Sequence, residues 1–229
     1  MKNVLLFSGG LDSYILYHFL KEKVDTLYFY TKNRYAWKEF SVVKQLIPST
    51  LIDYSFNFRS WERSDAFIPF RNILFAIGAS RYADTIYLGG VSDDRVNDNS
   101  LVAHADMTAL ISRYLDKFVE VEAPLAKNNW SKFDAVRWFL DKFPEKKERL
   151  LETISCYSEE ELRCMECGAC FRWWTVLSYL RVEGVPEYKN VAYAKTYVRK
   201  AEDGEIGGER GYVLKTFVKD WVEKRSKSR

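Results

Sequence analysis

The stretch Val4-Leu5-Leu6-Phe7-Ser8-Gly9-Gly10-Leu11-Asp12-Ser13 couples an apolar run to a glycine turn and then to a helix. Val4 to Phe7 are apolar without alternation, the pattern of a strand covered on both faces. Beyond the turn, Leu11, Ile15 and Phe19 recur every four residues with Leu16 and Leu20 beside them, one stripe of a helix closing near Lys21. Apolar segments 26–30, 50–54, 85–88 and 118–121 predict further strands, and 37–46, 72–83 and 107–116 predict helices between them. Strands alternating with helices predict an α/β fold with a doubly wound parallel sheet.

After residue 123 the alternation stops. Ser131-Lys132-Phe133-Asp134 has the spacing of a capping box and opens a helix to about Phe143. A short helix follows from Pro144 through Leu151, then four cysteines, then an apolar helix over 169–182. Gly184 and Pro186 mark a predicted boundary, dividing the chain into 1–184 and a C-terminal extension, 185–229. The extension holds four of the 11 glycines. It reads as a hairpin or loop plus a terminal helix, with Ala192, Ala194, Thr196 and Val198 alternating like one face of a strand.

Among the 229 residues are 7 Trp, 15 Tyr and 15 Phe, and 47% are hydrophobic, which excludes a mainly disordered chain. No apolar run nears the roughly 18 residues of a membrane span, and 3–7 is too short for a secretory signal. The expectation is a soluble, cytoplasmic protein with no membrane partner. Net charge is +3, and residues 190–229 carry ten basic against six acidic side chains. So mild an excess reads as a solvated surface in preference to a nucleic-acid grip.

A glycine turn between a strand and a helix start is suited to anions, because the first helical N–H groups are unpaired and carry partial positive charge. Glycine lets the backbone approach phosphate oxygens, and Ser8 and Ser13 add hydroxyls. Asp12 would repel a phosphate unless a divalent cation lay between them, which points to Mg2+. A plain strand–helix turn capped by serine is the bland alternative. The cysteines follow the spacing Cys156-x7-Cys164-x2-Cys167-x2-Cys170. Four thiolates can close a tetrahedral zinc shell with no open position for water, a structural site. An iron–sulfur cluster is the rival reading.

The string Ser-Gly-Gly-Leu-Asp-Ser after an N-terminal strand resembles the loop of the PP-loop ATP pyrophosphatases, and it lacks the Walker lysine. Combined with the cysteine spacing, it resembles the 7-cyano-7-deazaguanine synthases, the QueC family. Pro69-Phe70-Arg71-Asn72, Ile86 to Val91, Ala123-Pro124-Leu125 with Ser131-Lys132, and Cys156-Tyr157 carry the resemblance further, over roughly residues 3–182. It implies ATP, Mg2+ and Zn2+ as cofactors. It implies an ATP loop of Phe7, Ser8, Gly9, Gly10, Leu11, Asp12 and Ser13, with Tyr30 facing the adenine. Asp12 would hold magnesium on the pyrophosphate, Arg71 would contact phosphate or purine, and Lys132 would partner the adenylate.

The reaction implied is an ATP-dependent C–N ligation. The carboxylate of 7-carboxy-7-deazaguanine is adenylated, ammonia gives the amide, and a second ATP gives the nitrile. A homodimer is implied as well. Departures occur at Thr31-Lys32-Asn33-Arg34 and at Ala103 to Met107, where only Asp106 keeps the family motif. They suit a phage-borne or repurposed member, one that joins the activated carboxylate to an amine on a partner protein, the extension being the place for such a partner. A PP-loop tRNA-modifying enzyme is a further alternative, disfavoured because the metal consumes every thiol. Asp94 and Asp106 are the substrate-binding candidates; Asp93, Asp94 and Asp98 read as a group that brings magnesium or meets a purine N–H, or as a solvated turn. His104 reads as a substrate ligand or as a surface-loop histidine, and Trp173-Trp174 as core or dimer face.

Overall fold

The structure is a computed structural model describing residues 2–20, 24–94, 97–160 and 162–227. Strands β1 (Asn3–Leu6), β2 (Asp25–Phe29), β3 (Leu51–Asp53), β4 (Thr85–Tyr87) and β5 (Glu120–Glu122) form one parallel sheet in the order β3-β2-β1-β4-β5. Helices α1 (Leu11–Phe19), α2 (Ala36–Leu46), α3 (Arg71–Ala79) and α4 (Leu101–Leu115) connect them. Thereafter come α5 (Pro124–Lys127), α6 (Lys132–Lys142), α7 (Arg149–Glu152) and α8 (Gly168–Tyr179). The chain ends in α9 (Val191–Glu202), α10 (Gly208–Val213) and α11 (Lys219–Lys227), the last two joined by a π-helical turn over Leu214–Val218. The expected α/β, doubly wound architecture is what forms. The closure expected near Lys21 lies outside the described residues.

Val4 and Leu5 are fully buried on opposite faces of β1, which explains the unbroken apolar run. On one face Leu5, Phe7 and Tyr28 meet α1, α2, α6 and α8. On the other, Val4, Leu27, Phe29 and Ile86 meet Ala76 and Ala79 of α3 and Met107 and Ile111 of α4. The chain builds outward from β1 to β3 and then returns to β4 on the opposite side. The carboxyl end of β1 is thus a switch point, where an open α/β sheet leaves a crevice.

The helix at 132 starts as its sequence requires. Ser131 Oγ accepts from the Asp134 backbone N–H, and the Asp134 carboxylate accepts from the Ser131 N–H, a reciprocal cap of about 1 kcal/mol. The expected strand at 192–198 is instead part of α9. Ala194, Val198 and Ala201 lie one helical turn apart and are buried, and Asn190 Oδ1 caps the start by accepting from the Tyr193 N–H at 3.0 Å. Small residues spaced by two fit either period, and the cap decides for the helix. The expected hairpin or loop is likewise replaced by helices α9 and α10.

This C-terminal layer shares the larger core. Ala194, Val198, Val213, Leu214, Val218 and Val222 join the cluster that includes Leu5, Ile15 and Phe139. Trp173 and Trp174 are buried, Trp174 lying 4.9 Å from the Trp221 ring. No helix among the described residues is long and apolar enough to cross a membrane.

Candidate active site and metal centre

A cavity of about 430 Å³ opens at the carboxyl end of β1, a volume within the range of small-molecule sites. Its floor is the Ser8–Ser13 turn. Gly9 takes φ +72°, a left-handed conformation that glycine adopts without penalty. Gly10 occupies the α1 N-cap and has no side chain to cap it, so the first helical N–H groups keep their capacity for a ligand. Ser13 Oγ donates to the Gly10 carbonyl at 3.0 Å and lies 3.3 Å from Ser8 Oγ. The turn after β4 packs against this floor. A Cβ on Gly89 would stand 2.9 Å from the Ser13 backbone nitrogen, so only glycine allows the approach.

Asp12 and Lys132, 120 residues apart in sequence, meet in the cavity. Lys132 Nζ donates to Asp12 Oδ2 at 2.6 Å, with only about a fifth of either side chain exposed. Burial works against the Lys132 charge, but Asp12 and then Asp94 outweigh it and hold the ammonium above its ordinary range. Burial pushes the Asp12 carboxyl up while Lys132 pulls it down. Asp12 Oδ1 is buried with no partner among the described residues. A carboxylate oxygen so placed beside an anion cradle fits a magnesium ion bridging to phosphate.

Other expected residues divide. Phe7, Leu11 and Arg71 line the cavity, as does Asp94, whose carboxylate accepts from Asn99 Nδ2 at 2.5 Å. Asp98 lines it too, its Oδ1 having no partner among the described residues. Asp93 instead accepts from the Lys132 backbone N–H at 3.0 Å, fixing the start of α6. Tyr30 is not in the lining. Its ring meets Phe40 and Tyr54, while Tyr28, Phe29 and Thr31 line the cavity. Asp106 is exposed on α4, away from the lining: α4 buries His104, Met107 and Ile111, which puts position 106 on its outer face. His104 is buried in that helix, not on a surface loop. Neither ring nitrogen has a partner among the described residues, and burial lowers its pKa.

Several site residues lie beyond the reach of motif reasoning. Glu39 lines the cavity, accepts from Tyr28 Oη at 3.0 Å, and is pushed up to about 7 by burial, against the pull of Arg71 and the Tyr28 hydrogen bond. Asn33, itself buried, lines the cavity with an Oδ1 that has no partner among the described residues. Arg172 lines the wall and donates to Tyr157 Oη at 3.2 Å. Tyr197, Lys200 and Arg210 reach the lining from the C-terminal layer. Lys38 is fully buried and ties α2 to the metal loop by donating to the carbonyls of Cys156, at 3.2 Å, and Ser158. The one hint in sequence was its phase, a lysine four residues before buried Val42.

The four cysteine sulfurs lie within 4.8 Å of one another, with Cys156–Cys164 at 3.5 Å and Cys164–Cys170 at 3.9 Å. A tetrahedral zinc with sulfurs at 2.3 Å sets them about 3.8 Å apart, so the donor set fits the ion. Backbone N–H groups of Ser158, Cys164, Glu166, Cys167 and Cys170 approach these sulfurs at 3.3–3.4 Å, the surroundings a thiolate requires. The segment leading into the cluster is pinned to the glycine turn, Ile154 N donating to Gly9 O at 2.9 Å. The cysteine loop and the glycine turn are therefore mechanically joined.

Nothing among curated proteins matches this chain. A family described as "Queuosine biosynthesis protein QueC" matches residues 34–177, a span holding Glu39, Arg71, Lys132, Arg172 and all four cysteines. The Ser8–Ser13 loop precedes that span and stands on its own geometry. With well over half of its length matched, the chain belongs to the QueC family.

Proposed function

We propose that this protein uses ATP to adenylate the carboxylate of 7-carboxy-7-deazaguanine and converts it with ammonia to the amide and then to 7-cyano-7-deazaguanine. Family membership carries the coarser statement, an ATP-dependent enzyme of the PP-loop class with small-molecule substrates. The observation carrying the finer one is the meeting of Asp12 and Lys132 over the Ser8–Ser13 cradle. The unpaired N–H groups there receive phosphate oxygens. Magnesium held through Asp12 Oδ1 would neutralise charge on the departing pyrophosphate. Lys132 Nζ lies where an ammonium can stabilise charge building on the reacting phosphate and on the acyl oxygen. Carboxylate oxygen leaves poorly, and adenylation makes it part of a good leaving group. Leu6, Leu27, Phe29, Phe75 and Leu88 offer an apolar slot for the adenine. Asn33, Glu39, Arg71 and Asp94 offer polar groups for the acceptor. The four thiolates hold zinc in a structural role.

A homodimer belongs to this reading, with Val102, Leu110 and Tyr114 on α4 and Phe118 just beyond it supplying exposed apolar side chains for the contact. A second reading has a protein amine in place of ammonia. It is favoured by Thr31 and Asn33, which line the cavity at positions where the sequence departs from the family pattern. The test is incubation with ATP, magnesium, ammonium and 7-carboxy-7-deazaguanine, followed by mass spectrometry. AMP, pyrophosphate and the nitrile are expected. ADP with inorganic phosphate refutes the reading.

A further inference from the structure

The cavity does not end where the family span ends at residue 177. Tyr197 and Lys200 of α9 and Arg210 of α10 form part of its wall. Their placement is fixed by the metal loop. Tyr188 Oη donates to the Glu166 carbonyl at 2.6 Å, and Lys189 N donates to the Met165 carbonyl at 2.8 Å. At Gly168, a Cβ would stand 2.3 Å from Tyr193 Oη, so α9 lies directly against the start of α8. The same contact sets Tyr197 beside Phe171, with ring centroids 5.3 Å apart, and Arg172 follows in the chain.

Four cations thereby come to one side of the cavity from four helices. Arg172 is near enough to Lys132 to oppose its charge, and it lies beside Tyr197. Lys200 Nζ and Arg210 Cζ each sit 6.0 Å from the centre of the Tyr197 ring. Asp12 pairs with Lys132 and Glu205 with Lys200, and an anion of several charges entering here would meet all four cations at once. A single phosphate is already served by the helix N–H groups of the cradle. Lys200 and Arg210 line the same cavity as the cradle, so further phosphates of a bound polyanion have a cationic wall to meet. Lys200 lies 3.7 Å from Glu205, but both side chains are about half exposed, so exchanging that contact for a phosphate costs little.

We propose that the C-terminal layer is a clamp for the β- and γ-phosphates, with Lys200 and Arg210 joining Arg172 to hold the group that departs as pyrophosphate. The inference rests on the ATP reading above and adds a subsite that lies outside the family span. Tyr197 is the platform that positions both cations.

The experiment is titration calorimetry of the zinc-loaded full chain with magnesium pyrophosphate and, separately, with AMP. The variants are Lys200→Gln, Arg210→Gln, their double and Arg210→Lys. Loss of two charge-assisted contacts should weaken pyrophosphate binding about tenfold or more in the double variant, with AMP affinity unchanged. Arg210→Lys should recover most of the loss. The single variants keep the test open should the double variant fail to fold. Pyrophosphate affinity within about twofold of wild type, or an equal fall for AMP, overturns the clamp. So does a raised KM for the carboxylate substrate with pyrophosphate binding unchanged, which would assign the wall to the acceptor's anion. A wild-type chain that binds pyrophosphate through Lys200 and Arg210 yet forms no AMP from ATP sinks the proposed reaction and leaves the clamp standing.

Discussion

Glu39 gives the site a pH dependence opposite to that of an ordinary paired carboxylate. Its value is pushed from 4.5 to about 7, by burial first, with Glu62 adding to it, while Arg71, the Tyr28 hydroxyl and Lys38 pull the other way. Below pH 4.5 the group is protonated folded and unfolded, and it takes nothing from stability. Between 4.5 and 7 the unfolded chain ionises first, so stability falls as pH rises. Above 7 the full loss is present, which the displacement puts at about 3 kcal/mol. Glu39→Gln keeps an oxygen for Tyr28 and removes the ionisation. Urea denaturation from pH 4.5 to 8.5 should show wild type and variant equal at the acid end. The variant should then draw ahead by up to about 3 kcal/mol near pH 8. Parallel curves, or a variant that grows weaker with pH, would mean that Glu39 is ionised and paired with Arg71 throughout, and the reasoning fails. A cavity residue that costs stability at neutral pH is what a ligand-binding role leaves behind.

Three further outcomes are expected. Asp12→Asn should lower AMP formation by about 100-fold with little change in melting temperature, since one preorganised charge is lost from a loop; turnover within threefold of wild type would remove Asp12 from the chemistry. Cys167→Ser should lose metal and lower the melting temperature, because metal binding and folding are coupled; elemental analysis of the wild type should find one zinc per chain, and iron with sulfide would reassign the cluster. A truncation ending at Val185 removes Tyr188, Val198, Leu214 and Val222 from the core and uncovers Trp174. It should be insoluble or strongly destabilised, and a soluble, zinc-loaded fragment with full turnover would make 185–229 a separate unit.

How far the sequence could be read depended on whether a feature is local. The strand–glycine–helix junction at 4–13, the capping box at Ser131 and the cysteine spacing are each decided within a few residues by backbone sterics or ligand reach, and each stands where expected. Asp12 and Lys132 were each singled out by resemblance, but their pairing was not legible, because 120 residues separate them and no periodicity connects them. Tyr30 lies outside the cavity lining, although Tyr28, Phe29 and Thr31 are in it. A strand turns alternate side chains to opposite faces, and whether residue 29, 30 or 31 meets the cavity depends on how the sheet sits over the loop. Glu39 and Lys38 read in sequence as ordinary charges on an amphipathic helix, and tertiary contacts alone bury Lys38 and place Glu39 in the cavity lining.

The C-terminal layer shows why a boundary in sequence need not be a boundary in the fold. Gly184 and Pro186 do interrupt the chain, and family similarity stops nearby, at 177. Yet α8 has eight buried residues, among them Cys170, Phe171, Trp173 and Trp174, more apolar surface than α1 and α6 alone can cover. The rings of Tyr188, Phe217 and Trp221 cover the remainder, lying 4.9–5.8 Å from Trp174. An apolar helix that is buried all round needs partners on every side, and the partner on this side is the tail. The signal was therefore present in α8, as Trp173-Trp174 following a metal ligand, and not in the tail, whose alternating small residues suited a strand equally well. Through Tyr197, Lys200 and Arg210 the extension forms part of the cavity wall, and the helix that it covers is the one that carries Cys170 and Arg172.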